Sequence, residues 1–324
     1  MNLLVIGGTQ FVGKHLTEAL LAGGHSVTHF NRGQTNPEAF PGVETIQGDR
    51  NTDADRLAGR QWDAVFDVCG YLPKSMTPAL EVLKDSVDRY LFVSTISVYA
   101  ADQGDDLPED SALAELEEDT GVVDGSTYGA YKVICENMVR EAMGDRATIV
   151  RPGLIVGPGD HTQRFTYWPV AFSEGGPVMV PNGLDRRLTS LDVRDFAAFM
   201  RHLVEQGTSG TFNVDRAGKT FGDLIAACEE VTGASKVVVD EEWLVAQEVK
   251  PWAELPCWAP QPLGVPNVER AVAAGLTERP LASTVQDVIA DAKACGLARP
   301  LKAGLASDKE KELLARWDAT HSSP

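Results

Sequence analysis

Tyr128 and Lys132 stand four residues apart in Tyr128-Gly129-Ala130-Tyr131-Lys132, a spacing that on a helix puts a phenol and an ammonium on one face. The positive charge favours phenolate and draws the phenol's pKa toward the range where it can give and take a proton. Such pairs also arise as plain helix-surface neighbours, so the spacing alone assigns no role. Upstream, Ser94-Thr95-Ile96-Ser97-Val98-Tyr99 ends a strand-like run. That leaves the Thr95 hydroxyl at a strand's carboxyl end, where open α/β sheets bind their ligands. A third group suits phosphate. Gly7-Gly8-Thr9-Gln10-Phe11-Val12-Gly13 follows the first apolar run and opens a helical pattern. Glycines allow the tight turn, and a helix start offers N–H donors and a positive dipole end to a pyrophosphate. Gly7, Thr9, Gln10, Phe11, Val12 and Gly13 are therefore the expected cradle, against the alternative of a tight strand–helix turn with no ligand.

The second strand ends Phe30-Asn31-Arg32-Gly33, eighteen residues beyond Gly13 at Asn31. A site for NAD usually places a carboxylate there, to bind the ribose 2′-hydroxyl; Arg32 would instead pair with a 2′-phosphate. Asn31 and Arg32 thus point to NADP(H) over NAD(H), the plainer alternative being a solvated turn arginine. Asp49 and Arg50, after the third strand, are further expected cofactor contacts, with Asp49 suited to the adenine amino group.

Elements of a definite kind are needed to position these groups. Leu3-Leu4-Val5-Ile6 is continuously apolar, as a strand buried on both faces should be, and Phe11, Val12, Leu16, Ala19 and Leu20 then recur at helical spacing. Further strands are expected at 26–30, 43–47, 63–68, 90–94 and 148–150, with helices that include 78–84 and 130–142. This alternation predicts an α/β fold: a doubly wound parallel Rossmann sheet over 1–150. Gly/Pro-rich segments with shorter elements follow Arg151-Pro152. They predict a smaller C-terminal α/β substrate-binding region over 151–324, some of whose segments return to the sheet.

Composition narrows the function classes. The 324 residues carry 29 Lys+Arg against 47 Asp+Glu, a net charge of −18, which opposes nucleic-acid binding. Half of it lies in residues 101–120, where Asp102, Asp105, Asp106, Glu109, Asp110, Glu115, Glu117, Glu118 and Asp119 occur without a Lys or Arg. A solvated loop is the simplest reading of that run. The five Cys are scattered, without the clustering of a zinc site or the even count of a disulfide framework, so no metal is expected. Neither a signal-peptide pattern nor an apolar run of membrane-spanning length is evident, and a cytoplasmic location is expected.

Taken together, these motifs resemble the extended short-chain dehydrogenase/reductases, the superfamily of NAD-dependent epimerases and dehydratases. The likeness runs from the Gly7–Gly13 turn through 94–99 and the Tyr128/Lys132 pair to Arg151-Pro152-Gly153-Leu154-Ile155-Val156-Gly157-Pro158-Gly159-Asp160. It continues at 188–197 and 210–214. The resemblance implies Tyr128 as general acid/base, Lys132 as modulator of its pKa and ribose ligand, and Thr95 as the hydroxyl that orients the carbonyl. It also implies a homodimer through a bundle containing 130–142. Two departures stand out. Gln10 replaces the family's central glycine and would reshape the cradle, and Ile96-Ser97 replaces the Asp-Glu pair of sugar-nucleotide dehydratases, which disfavours dehydration. The Gly-Gly-Thr turn and Phe-Asn-Arg-Gly also look like the atypical chloroplast stem-loop-binding branch, which is associated with RNA.

On the substrate side, His161, Arg164, Tyr167, Trp168 and Arg187 could meet a small-molecule substrate through acid/base, ionic or stacking contacts. The alternatives are packing for the aromatics and solvation for the charged groups. The first reading is an NAD(P)-dependent reductase or dehydrogenase acting on a carbonyl or alcohol of a sugar-like or small cyclic metabolite. The second is a sugar or nucleotide-sugar epimerase, and the third a non-catalytic nucleotide-sensing or RNA-binding protein. No nucleic acid and no membrane are expected as partners.

Overall fold

The computed structural model describes residues 1–101, 103–258 and 264–321, so Asp102 of the acidic run lies outside the described residues. The chain forms two units: 1–155 with 193–215 and 264–277, and 156–192 with 216–263 and 278–324.

The first unit is built on a seven-stranded sheet. Its strands are β1 (Asn2–Ile6), β2 (Ser26–Asn31), β3 (Glu44–Gln47), β4 (Ala64–Asp67), β5 (Tyr90–Val93), β6 (Ala147–Pro152) and a last strand, Gly210–Val214. They lie in the order Gly210–Val214, β6, β5, β4, β1, β2, β3, and every pair is parallel. Strand order therefore reverses at β1, and the crevice beyond the carboxyl ends of β1 and β4 is where such sheets bind ligands.

Three helices matter for that crevice: α1 (Phe11–Ala22), α2 (Pro73–Leu83) and α3 (Tyr128–Met143). Leu4, Ile6, Val65, Tyr90, Phe92 and Ile149 form one buried cluster with Met76, Leu80 and Leu83 of α2 and Cys135, Val139 and Met143 of α3. Because side chains alternate along a strand, Leu3 and Val5 face the other way. On α1, Leu16 and Leu20 are buried, and the helix packs beside the helix Val193–Glu205. Helix α2 starts five residues before the expected Pro78, because Pro73 occupies the first turn, where a missing N–H costs nothing, and Pro78 is carried inside the helix.

In the second unit, Val178–Pro181 and Lys236–Val239 pair as a parallel two-stranded sheet. The helices Tyr167–Ser173, Phe221–Thr232, Leu281–Ala294 and Ser307–His321 belong to the same unit. Thr220 and Asp223 close a reciprocal capping box at the start of Phe221–Thr232. The five cysteines are free thiols: Cys135 and Cys228 buried, Cys69 and Cys257 half-buried, Cys295 exposed. Among the described residues no helix is long and apolar enough to cross a membrane, and no His/Cys/Asp/Glu group could hold a metal ion.

Candidate active site

The glycine turn leaves β1 and enters α1 as a backbone-built cup. Gly8 has φ +97°, and a Cβ there would meet the His29 ring at 2.6 Å; a Cβ on Gly13 would meet the Gly8 nitrogen at 2.5 Å. Only glycine lets helix, turn and strand approach so closely. Gln10 precedes α1 in extended conformation, and its side chain does not cap the helix. Its side chain is exposed, while Thr9, Phe11 and Val12 are half-buried. The Asn36 amide donates to the Thr9 carbonyl at 3.1 Å and the Asn31 amide to the Gly7 carbonyl at 3.1 Å, bracing the turn from β2 and its following loop.

Beneath the turn lies a contact that the sequence reading missed. Thr17 Oγ1 donates to the Gly13 carbonyl at 2.8 Å and lies 2.9 Å from His29 Nε2. With the single Thr17 proton given to the carbonyl, Nε2 must carry the hydrogen between them. Burial lowers the His29 pKa to about 4, so the ring supports the turn as a neutral donor. A histidine inside the strand run Val27-Thr28-His29-Phe30, which is buried throughout, was the available signal.

At the rim, the Arg32 side chain is exposed. Asp49 Oδ1 accepts from the Asn51 backbone N–H at 2.8 Å, which together with the charges of Arg32 and Arg50 holds its carboxyl below the ordinary range. Arg50, expected among the cofactor contacts, is instead turned inward. Its Nη1 and Nη2 donate to the two Asp67 oxygens at 2.9 and 2.8 Å, and its Nε to the Ser75 carbonyl at 2.8 Å. The physical reason is the full burial of Asp67 at the end of β4, a charge that requires a counter-ion. The Tyr90 hydroxyl also donates to Asp67 at 2.8 Å. Burial works to raise this carboxyl, but Arg50 and the hydrogen bonds together hold it below its usual value.

The Tyr128/Lys132 pair begins α3. Gly129 is placed so that a Cβ would fall 2.0 Å from the Ser97 carbonyl oxygen, so the absent side chain lets α3 lie directly on the turn after β5. Thr95 starts that turn, accepting the Ser97 backbone N–H on Oγ1 at 3.1 Å. Lys132 is buried; Nζ donates to the Gly70 and Val93 carbonyls at 2.6 Å each and sits 4.0 Å from the Phe92 ring centroid. Burial draws its pKa down to about 8. The Tyr128 ring centroid is 6.4 Å from that of Tyr71, whose pKa is pushed up to about 12 by desolvation of its hydroxyl and by the nearby Tyr128.

One helix turn on, Glu136 continues the same face and anchors α3 to the sheet. Arg151 of β6 donates from Nε and Nη2 to its two oxygens at 2.9 and 2.7 Å, and Arg140 Nη2 donates at 2.8 Å. Arg151 Nη1 reaches the Tyr99 hydroxyl at 3.1 Å, and Tyr99 donates to Asn213 Oδ1 at 2.5 Å. The Arg-Pro-Gly, Val-Tyr and Gly-Thr-Phe-Asn-Val motifs thus meet in one buried network that holds the Tyr128 helix.

The expected substrate residues lie in the second unit. Tyr167 and Trp168 are wholly buried, stacked edge to face at 4.9 Å, and Trp168 Nε1 donates to the Pro256 carbonyl at 2.6 Å. Both aromatics therefore pack the core. Arg164 is half-buried with Nε on Thr162 Oγ1 at 3.2 Å, while His161 and Arg187 are exposed. Arg186 pairs with Glu241, to which Trp258 also donates.

The model of the NAD dependent epimerase/dehydratase family matches residues 3–215. A chloroplast stem-loop binding protein of 41 kDa from Arabidopsis thaliana is 29% identical over 252 residues, 72% of this chain and 63% of its own length. A UDP-glucose 4-epimerase from Azospirillum brasilense is 30% identical over 197 residues, 52% of this chain and 53% of its own. The chain thus spans between about half and two thirds of these relatives. Among solved structures, a UDP-glucuronic acid 4-epimerase from Bacillus cereus in complex with NAD aligns with a TM-score of 0.68 at 17% identity, covering 91% of this chain and 99% of the other.

Proposed function

Because the chain belongs to the NAD dependent epimerase/dehydratase family, we propose that it is an NAD(P)-dependent oxidoreductase interconverting a carbonyl and an alcohol on a sugar-like or small cyclic metabolite. The observation that carries this reading is Gly129, whose missing side chain seats Tyr128 and Lys132 against the turn after β5, on the sheet that also carries the glycine cradle. The close approaches at Gly8 and Gly13 leave a turn lined by backbone, which fits a pyrophosphate at the start of α1.

Bound NAD(P) supplies the hydride donor or acceptor. In the reducing direction the Tyr128 hydroxyl gives its proton to the carbonyl oxygen, and in the oxidising direction the phenolate takes it back. The Lys132 ammonium, held by the Gly70 and Val93 carbonyls, keeps positive charge one helix turn from that phenol and suits a ribose hydroxyl. The test is nicotinamide absorbance with UDP-glucose, UDP-glucuronic acid and cyclohexanol as probes, in the presence of NAD+ or NADP+.

The similarity to sugar 4-epimerases supports a second reading, transient oxidation followed by return of hydride to the opposite face. Retained coenzyme that does not exchange favours the epimerase, and freely exchanging coenzyme the dehydrogenase. The likeness to the chloroplast stem-loop binding protein supports RNA binding less well, since a net charge of −18 repels a phosphate backbone.

Coenzyme choice follows from Arg32. Its exposed guanidinium matches phosphate oxygens, while Asp49 close by draws part of its charge. NADPH is expected to bind on the order of tenfold tighter than NADH, and Arg32→Ala to erase most of that difference. Calorimetric titration with both coenzymes decides it: NADH binding as tightly as NADPH contradicts the assignment.

A further inference from the structure

We infer that Asn31 and Asn36 are positioning residues for the coenzyme, holding the glycine turn so that the backbone N–H groups of Gly8 and Gln10 face the pyrophosphate; this rests on the oxidoreductase reading above. The Asn31 amide nitrogen donates to the Gly7 carbonyl and the Asn36 amide nitrogen to the Thr9 carbonyl, at 3.1 Å each. Asn31 Oδ1 meanwhile accepts the Gly33 backbone N–H at 2.8 Å. A backbone carbonyl can only accept and a backbone N–H can only donate, so the direction of these bonds is fixed. In a trans peptide the C=O and the N–H that follows it point opposite ways. Drawing the Gly7 and Thr9 carbonyls toward β2 and its loop therefore turns the Gly8 and Gln10 N–H groups away from them. Neither N–H has a hydrogen-bond partner among the described residues.

Unpartnered N–H groups of neighbouring residues form a nest for anionic oxygens, and the positive end of α1 adds to it. Gln10 stands where the family has its central glycine. Its φ of −133° and ψ of 137° are extended, a conformation open to any residue, so its N–H can serve without a glycine there. Asn36 has φ +44°, in the left-handed region that asparagine tolerates. Asn31, expected to touch the coenzyme, acts instead through the turn, since backbone groups take up both ends of its amide. Arg32 lies on the segment between the two asparagines. The same two amides thus tie the 2′-phosphate contact to the pyrophosphate cradle.

The experiment is calorimetric titration of wild type, Asn36→Gly, Asn31→Ala and the double variant with three ligands: NADPH, NADH and adenosine 2′-monophosphate. The last carries the 2′-phosphate and no pyrophosphate. Asn36 is exposed, and glycine suits its left-handed backbone, so Asn36→Gly removes the donor without straining the loop. Each single substitution is expected to weaken NADPH and NADH alike by about fivefold, and the double variant by on the order of 20-fold. The ratio between the coenzymes should therefore stay as in wild type, and adenosine 2′-monophosphate should bind Asn36→Gly as it binds wild type. Unchanged coenzyme affinity in the double variant overturns the inference. So does a loss confined to one coenzyme, which would make the asparagines direct contacts of the adenosine ribose or its phosphate. So does a loss of adenosine 2′-monophosphate in Asn36→Gly as steep as that of NADPH, which would mean that the loop serves Arg32 and not the turn. Wild-type protein that binds none of the three ligands contradicts the oxidoreductase reading itself, and the inference with it.

Discussion

Tyr128→Phe is expected to lose turnover by on the order of 10²–10⁴-fold while binding NAD(P)H within about twofold of wild type. The substitution deletes the hydroxyl proposed to move the proton and leaves the ring, its neighbour Tyr71 and the helix seat at Gly129 in place. The cradle around Gly8 and Gly13 is on another element and keeps its form. Steady-state rates beside fluorescence titration of the coenzyme separate the two effects. Wild-type turnover in this variant would remove Tyr128 from the chemistry.

Glu136→Leu is expected to destabilise the protein by about 3–5 kcal/mol, because it leaves the buried Arg151 guanidinium without its counter-ion. Burial works to raise the Glu136 carboxyl, but Arg151 and Arg140 hold it below its ordinary range. Its folded-state pKa therefore lies below the unfolded value of about 4.3. The stability it contributes is complete above that value and is lost as pH falls through the folded value. Asp67, depressed by Arg50, behaves alike. Urea unfolding at neutral pH should show the loss in Glu136→Leu, and the variant's stability should fall less steeply into acid. A change below about 1 kcal/mol would mean that the network does not hold α3.

The elements were legible wherever one force dominated. Leu3–Ile6 could only be a strand buried on both faces, and the apolar residues of α1 repeat at a helix's own spacing, so β1, the turn and α1 were readable together. The expected stretch 78–84 covers only the later part of α2, because Pro73 fills the first turn and Pro78 is carried inside the helix. The placement of the candidate residues was legible where they adjoin in sequence: the glycine turn, Tyr128 with Lys132, Thr95 after its strand. It was not where partners come from distant segments. Arg50 and Asp67 are 17 residues apart, and Glu136 and Arg151 15, and nothing local says which cation finds which buried carboxylate. Tyr167 and Trp168 showed the same limit. An aromatic pair fits a ligand or a core equally well until its burial is known.

Whether this chain is a dinucleotide-dependent enzyme is decided by mass analysis of the nucleotide that the purified protein holds. Released by denaturation, before and after equilibration with NADP+ and NAD+ at on the order of 1 mM, the bound fraction should contain a nicotinamide dinucleotide approaching one per chain. Introducing a Cβ with Gly13→Val should abolish that uptake, since it would strike the Gly8 nitrogen. Wild-type protein that retains no NAD(P) and takes up none under these conditions would rule out a dinucleotide-dependent enzyme.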